Sequence, residues 1–178
     1  MITFAYENIL NLQVDAIVNP AHTSLFAGSG LCGIIHRYAG RKLETYCRTL
    51  GTKTYGDVVI TPSFKLSHCQ KVIHACGPRW IDGNQNEEAN LEHLYTGIIE
   101  MAAQEEITSI AIPAISTGIY SFPFEKATRI ALKTCLEMLE KYPMDLIFVN
   151  SESKKHKGYQ EIYRELSLKK ATSREGDY

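Results

Sequence analysis

The stretch that decides the fold is residues 16–33, AIVNPAHTSLFAGSGLCG. It begins with an apolar run that predicts a buried strand over 16–19, and a glycine-rich loop follows. A helical pattern comes after the loop, over 33–50. Glycines let backbone N–H groups approach a ligand closely, and the N-terminus of a helix carries a partial positive charge. The stretch therefore predicts an anion site, and phosphate is the usual anion at such a place.

A second loop has the same position relative to its neighbours. Residues 116–123, STGIYSFP, lie between an apolar run over 110–115 and another helical pattern. Two loops of this kind predict a ligand with two phosphates. A diphosphate nucleotide is the first hypothesis.

Strands and helices alternate along the chain. The predicted strands are 2–6, 16–19, 57–61, 71–75, 109–115 and 145–149, and the predicted helices are 33–50, 87–105, 124–141 and 159–168. This order predicts one α/β domain over 1–170, with a mostly parallel central sheet between two layers of helices. Residues 171–178 offer no apolar anchor and are predicted to form a frayed tail. Ligands of such sheets bind beyond the carboxyl ends of the strands, where both loops fall.

The overall composition narrows the class of protein. A formal net charge of −1 gives no bulk attraction to nucleic acid or to an anionic membrane. The sequence contains no apolar stretch of the roughly 18 residues that a membrane helix needs. Five cysteines, an odd number without a CxxC pair, are typical of a reduced cytoplasmic protein. We expect a cytoplasmic monomer that binds neither membrane nor nucleic acid.

The segment from Gly28 to Gly33 matches G-x-G-x-x-G, the fingerprint of dinucleotide-binding folds. In that fold the loop follows its strand almost at once, whereas residues 20–27 intervene here. The next strand, over 57–61, also lacks the terminal acidic residue that would hold the ribose. An NAD-dependent Rossmann enzyme is therefore only a remote alternative.

Four segments resemble the macrodomain, a module that binds ADP-ribose. They are VDAIVNPAH over 14–22, GSGLCGIIH over 28–36, VIHACGP over 72–78 and IPAISTGIY over 112–120. The resemblance extends over about residues 2–168, with the motifs in order. It implies a three-layer α/β/α fold with a mixed sheet, and it is strongest to the class that hydrolyses mono-ADP-ribose linkages or O-acetyl-ADP-ribose.

The resemblance also implies a role for particular residues. Asn8 stands where the family commonly has an aspartate that holds the adenine amino group, and Ile9 follows it. The first glycine loop would wrap the diphosphate from one side and the second loop from the other, while Asn19 and the Tyr120 ring would contact the distal ribose. The implied ligand-binding residues are Asn8, Ile9, Asn19, Gly28, Ser29, Gly30, Leu31, Cys32, Ser116, Thr117, Gly118, Ile119 and Tyr120.

Two positions depart from the hydrolytic class, which usually has an asparagine at His22 and an aspartate at Cys32. The imidazole of His22 is a candidate general base, with Asn19 and Cys32 as the other candidate catalytic residues. In a second hypothesis Cys32 is the nucleophile of a covalent Cys–His hydrolase, with His22 within hydrogen-bond reach of its sulfur. In a third, His22 only hydrogen-bonds the ribose and Cys32 only packs.

A zinc site built from His22, Cys32 and His36 is a further alternative, but their spacing is not diagnostic. We expect no metal and no cofactor beside the ligand ADP-ribose. The predicted function is binding of ADP-ribose or an ADP-ribosylated protein, with hydrolysis at the distal ribose. The alternative is a non-catalytic reader of ADP-ribosylated partners, and the loss of the aspartate favours that reading.

Overall fold

A computed structural model describes residues 1–175 of the chain. The strands are β1 (Ile2–Tyr6), β2 (Ala16–Pro20), β3 (Val58–Pro62), β4 (Lys71–Ala75), β5 (Ser109–Ile112) and β6 (Asp145–Asn150). The helices are α1 (Gly30–Ala39), α2 (Arg41–Arg48), α3 (Glu87–Gln104), α4 (Phe124–Lys141) and α5 (Ser153–Glu175), with a short 3-10 helix at Ile9–Asn11.

The six strands form one sheet in the order β1-β6-β5-β2-β4-β3. Every neighbouring pair is parallel except β3 with β4, which is antiparallel. The sheet is therefore mixed and mostly parallel, as predicted. The carboxyl ends of β1, β2, β5 and β6 meet along one edge, because parallel strands point the same way.

Helices cover both faces of the sheet. Alternate strand residues such as Val18 and Ile112 face a core shared with α3, α4 and α5. The opposite face, which includes Ile17 and Val72, packs against α1 and α2. This confirms the three-layer α/β/α arrangement. Among residues 1–175, no helix is both long enough and apolar enough to cross a membrane.

Two of the predicted helices differ clearly from the observed ones. The helix predicted over 33–50 is two helices, because Gly40 adopts a φ of 89° and ends α1. A left-handed φ of this kind breaks a helix and is readily adopted only by glycine. Helix α5 continues to Glu175, so the segment predicted to fray from residue 171 is helical as far as it is described. Residues 176–178 of that predicted tail lie outside the described residues.

Candidate functional site

A cavity of about 780 Å³ opens at the carboxyl edge of the sheet. Both glycine loops contribute to its wall, together with the residues that follow β1 and β6. The volume lies within the range of small-molecule sites. This cavity thus opens at the edge where a ligand was expected from the sequence.

The first loop leads into helix α1, whose first backbone N–H groups are not capped by a side chain. Ser29 is the N-cap residue but makes no side-chain capping bond, and Gly30 has a φ of 58°. Gly33 closes the turn by donating its N–H to the Ser29 carbonyl at 3.3 Å. The first N–H groups of the helix therefore have no capping side chain and are available to an anion.

The second loop is a tight turn that is fixed by backbone hydrogen bonds. Ser116 has a φ of 65°, and its carbonyl accepts the Phe122 N–H at 2.9 Å. Trp80 donates its backbone N–H to the Tyr120 carbonyl at 2.9 Å, which ties the loop to the segment after β4. The Ser116 hydroxyl is buried and has no hydrogen-bond partner within residues 1–175. Ile119 stands at the tip, 85% exposed, at the mouth of the cavity.

Most of the residues predicted from the sequence meet at this cavity. Those that line it are Asn8, Ile9, His22, Gly28, Ser29, Gly30, Leu31, Cys32, Ser116, Gly118, Ile119 and Tyr120. Asn19 and Thr117 do not line it. The hydroxyl of Thr117 is buried, and the Asn19 side chain is fully buried beneath the cavity.

Asn19 is held inside the fold by His74. The Asn19 Nδ2 atom lies 3.0 Å from His74 Nδ1, and His74 Nε2 lies 2.9 Å from the Thr61 hydroxyl. That hydroxyl donates to the Pro62 carbonyl at 3.0 Å, so it accepts from His74 Nε2–H. Burial, with a smaller contribution from His36, lowers the pKa of His74 to about 3. His74 is therefore a neutral ring that accepts from Asn19.

The same amide reaches the floor of the cavity at Cys32. The Asn19 Nδ2 atom lies 3.6 Å from Cys32 Sγ, and the thiol donates to the Phe26 carbonyl at 3.8 Å. Both contacts are long and weak, but they give the thiol a fixed place against the first loop. In this structure the Asn19 amide contacts His74 and Cys32, and its contact with the distal ribose stays a prediction.

His22 and Cys32 do not form a pair. Ser24 donates its backbone N–H to His22 Nδ1 at 3.1 Å, and the Ser24 hydroxyl lies 2.8 Å from the same nitrogen. The neutral His22 ring thus carries its proton on Nε2 and can donate from that atom. The nitrogen that a general base would use is already engaged, so the geometry does not favour the general-base and covalent hypotheses.

A different trio of metal-ligand type lies below the cavity. His36, Cys47 and His74 place one nitrogen or sulfur each within 4.8 Å of one another, whereas the zinc alternative had joined His36 to His22 and Cys32. Both His74 nitrogens already have protein partners, and burial raises the pKa of the Cys47 thiol to about 11. The trio therefore fits a neutral polar cluster, and the expectation that no metal binds stays a prediction.

The residues at the far end of the cavity were not predicted from the sequence. Glu7, Asn150, Glu152 and Lys155 line it beside Asn8, and the Asn150 Nδ2 atom is buried without a partner among the described residues. Asn8 itself is engaged, because its Oδ1 accepts the Leu10 N–H at 3.0 Å. The signal was present: β1 and β6 run parallel to β2, so their carboxyl ends belong to the same edge.

Comparison with known proteins identifies the family. The Macro domain family model matches residues 18–131. The chain is 41% identical over 148 residues to an O-acetyl-ADP-ribose deacetylase of Salmonella newport, over 80% of this chain and 82% of the relative.

Solved structures give the same result. A mutant Oceanobacillus iheyensis macrodomain with ADPR superposes with a TM-score of 0.88 at 29% identity, covering 93% of this chain and 92% of that one. A Trypanosoma brucei macrodomain in complex with ADP-ribose gives a TM-score of 0.82 at 30% identity, covering 90% of this chain and 68% of that one. The chain belongs to the macro domain family.

Proposed function

We propose that this chain binds ADP-ribosyl groups in the cavity and hydrolyses an ester on the distal ribose. One observation carries the proposal: two glycine loops from separate parts of the chain face a single cavity of about 780 Å³. Their backbone N–H groups suit a diphosphate, since hydrogen bonds to an anion are strong without any lysine. The ADP-ribose named for the Trypanosoma brucei structure supports this ligand.

The relatives named O-acetyl-ADP-ribose deacetylase support an ester as the substrate. In this reaction water adds to the acetyl carbonyl carbon, and the bond from that carbon to the ribose oxygen breaks. One proton of the water goes to the ribose oxygen, which becomes a hydroxyl, and the other is released to solvent as the product departs as acetate. His22 Nε2–H would donate to the carbonyl oxygen as negative charge develops there. Ser24 would hold the ring in the tautomer that makes this donation possible.

A non-catalytic reader is the second candidate. The only carboxylates among the described lining residues are Glu7 and Glu152, at the end of the cavity that holds Asn8. Among the described lining residues, no carboxylate therefore stands near His22 and Cys32 to take a proton from water. A reader needs the two loops but not such a group.

The experiment measures acetate release from O-acetyl-ADP-ribose and ADP-ribose release from a mono-ADP-ribosylated protein. His22→Phe should lower kcat about 10²–10³-fold, as expected for the loss of one transition-state donor, and leave ADP-ribose affinity within about threefold. His93→Phe, a histidine outside the cavity, is the matched control and should keep full activity. ADP-ribose binding without turnover of either substrate would establish the reader instead.

A further inference from the structure

Charge is unevenly distributed along this chain. Residues 16–81 contain eight lysines and arginines but only two acidic residues, Glu44 and Asp57, in a chain whose formal net charge is −1. The net charge alone predicted no attraction to nucleic acid. A local excess of cations can still create a strong positive surface potential.

The fold gathers much of this charge on the outer face of α1 and α2. We call the exposed side chains of Arg37, Tyr38, Arg41, Lys42, Tyr46 and Lys65 the basic face. Lys65 belongs to it because an ideal Cβ built on Gly40 would lie 3.1 Å from its Cδ. Its side chain therefore packs over the bend where the two helices meet.

The cations of the basic face have no carboxylate partners. Arg37, Arg41, Lys42 and Lys65 make no ion pair within residues 1–175, whereas the neighbouring Arg48 is paired with Glu44 at 3.1 Å. Glu44 is also the only acidic residue between Ala16 and Gly56. In the described part of the chain no ion pair neutralises the four charges, so they are available to an anionic partner.

Aromatic rings lie among these cations. Tyr38 is 61% exposed and Tyr46 is 40% exposed, although both are large apolar rings on the surface of a helix. Tyr46 also lies 6.0 Å from the Phe64 ring, centroid to centroid. Exposed rings between cations are the arrangement on which unpaired bases stack while the backbone phosphates are neutralised.

We propose that the basic face binds single-stranded nucleic acid. The cations would hold the phosphates, and the Tyr38 and Tyr46 rings would stack on bases. An acidic polypeptide would use the cations but leave both rings without a role, and a duplex keeps its bases stacked inside the helix. None of the six side chains lines the cavity, so this proposal stands independently of the proposed function.

The test is fluorescence polarisation of the whole chain with a labelled 20-nucleotide single-stranded DNA of mixed sequence at low salt. We expect a Kd on the order of micromolar that weakens steeply as salt is raised. The triple variant Arg37→Glu, Arg41→Glu, Lys42→Glu should bind at least about tenfold more weakly. Circular dichroism and the Tm check that each variant is folded.

A matched control carries the same charge change on another face. Lys133→Glu, Arg164→Glu and Lys169→Glu alter exposed residues of α4 and α5 that make no ion pair within residues 1–175. This triple variant should bind within about twofold of the native chain. Tyr38→Ala, which changes no charge, should weaken binding about fivefold or more through lost stacking.

Four results would overturn the proposal. The first is no polarisation change at 100 µM protein, which is on the order of a hundred times the expected Kd. The second is an equal loss of DNA affinity in the two triple variants. The third is that duplex DNA binds as tightly as the single strand and that Tyr38→Ala leaves the Kd unchanged. The fourth is polyglutamate that competes as well as the unlabelled strand, which would show that the face takes an acidic polypeptide.

Discussion

Gly33 and Gly28 lie in the same loop, yet the structure predicts opposite outcomes when each is replaced by alanine. An ideal Cβ on Gly33 would lie 2.3 Å from the Gly28 carbonyl oxygen, and Cβ atoms essentially never approach within 3.0 Å of another heavy atom. That carbonyl must therefore move by at least about 0.7 Å, and with it the backbone of the first loop. A Cβ on Gly28 would meet only Cys32 Sγ, at 4.0 Å, which is an ordinary contact.

Overpacking of this kind costs about 1–3 kcal/mol, and we expect Gly33→Ala near the upper end because the obstacle is backbone. For a chain of this size the Tm should fall by about 6–12 °C. Gly28→Ala should stay within about 0.5 kcal/mol of the native free energy of unfolding. ADP-ribose affinity of Gly33→Ala should fall by on the order of ten- to a hundredfold, since the loop is displaced.

Urea unfolding followed by tryptophan fluorescence measures these differences. Trp80 is the only tryptophan of the chain, and it packs against Phe122 with ring centroids 4.8 Å apart, so its emission should change on unfolding. A free energy of unfolding for Gly33→Ala within about 0.5 kcal/mol of the native value would refute the reasoning. It would show that the close approach of Gly33 to Gly28 does not fix the loop.

Further predictions concern charge, acid and the thiol. Gly118→Glu should bind ADP-ribose about 100-fold more weakly than Gly118→Gln, because a carboxylate roughly 5 Å from a phosphate costs about 3 kcal/mol at an effective dielectric of 20. Both variants should fold, since nothing lies within 4 Å of a Cβ built on Gly118. Equal affinities by calorimetry would contradict the placement of the diphosphate. The pKa of His74 is about 3 in the folded chain and 6.5 in the unfolded chain, so unfolding takes up a proton between pH 3 and pH 6.5. The free energy of unfolding should therefore fall by about 1.4 kcal/mol per pH unit below pH 6.5. His74→Gln should flatten that slope in urea titrations, and an unchanged slope would assign the acid sensitivity elsewhere. Cys32→Ser should keep any esterase activity, and its inactivation would revive the covalent hypothesis.

The sequence predicted the fold where its signals were local and strong. Helix α4 was predicted with its observed bounds, because its apolar residues keep one helical period over 124–141. The break at Gly40 was not predicted, since helix-forming residues continue on both sides and one glycine is often tolerated inside a helix. The Lys65 side chain packs over this bend, and a contact from so far along the chain leaves no pattern near Gly40 in the sequence.

The site was predicted in outline, and the contacts that were not predicted depend on information that only the fold supplies. Both loops were placed correctly, because their position after a strand decides where they lie. Asn19 was expected at the ribose, which stays a prediction; it shares a face of β2 with Ile17, which packs toward α1 and α2, and its amide contacts His74 and Cys32. Its partner His74 stands 55 residues further along the chain, opposite it in the β2–β4 register. A contact of that range leaves no local pattern in the sequence.

Isothermal titration calorimetry of the native chain with ADP-ribose tests the central claim most directly, which is that the two glycine loops form one diphosphate site. We predict saturable heat with one ligand per chain and a Kd below about 100 µM, equivalent to about −5.5 kcal/mol. Absence of heat with ligand at millimolar concentration, in a sample whose circular dichroism shows it to be folded, would contradict the claim.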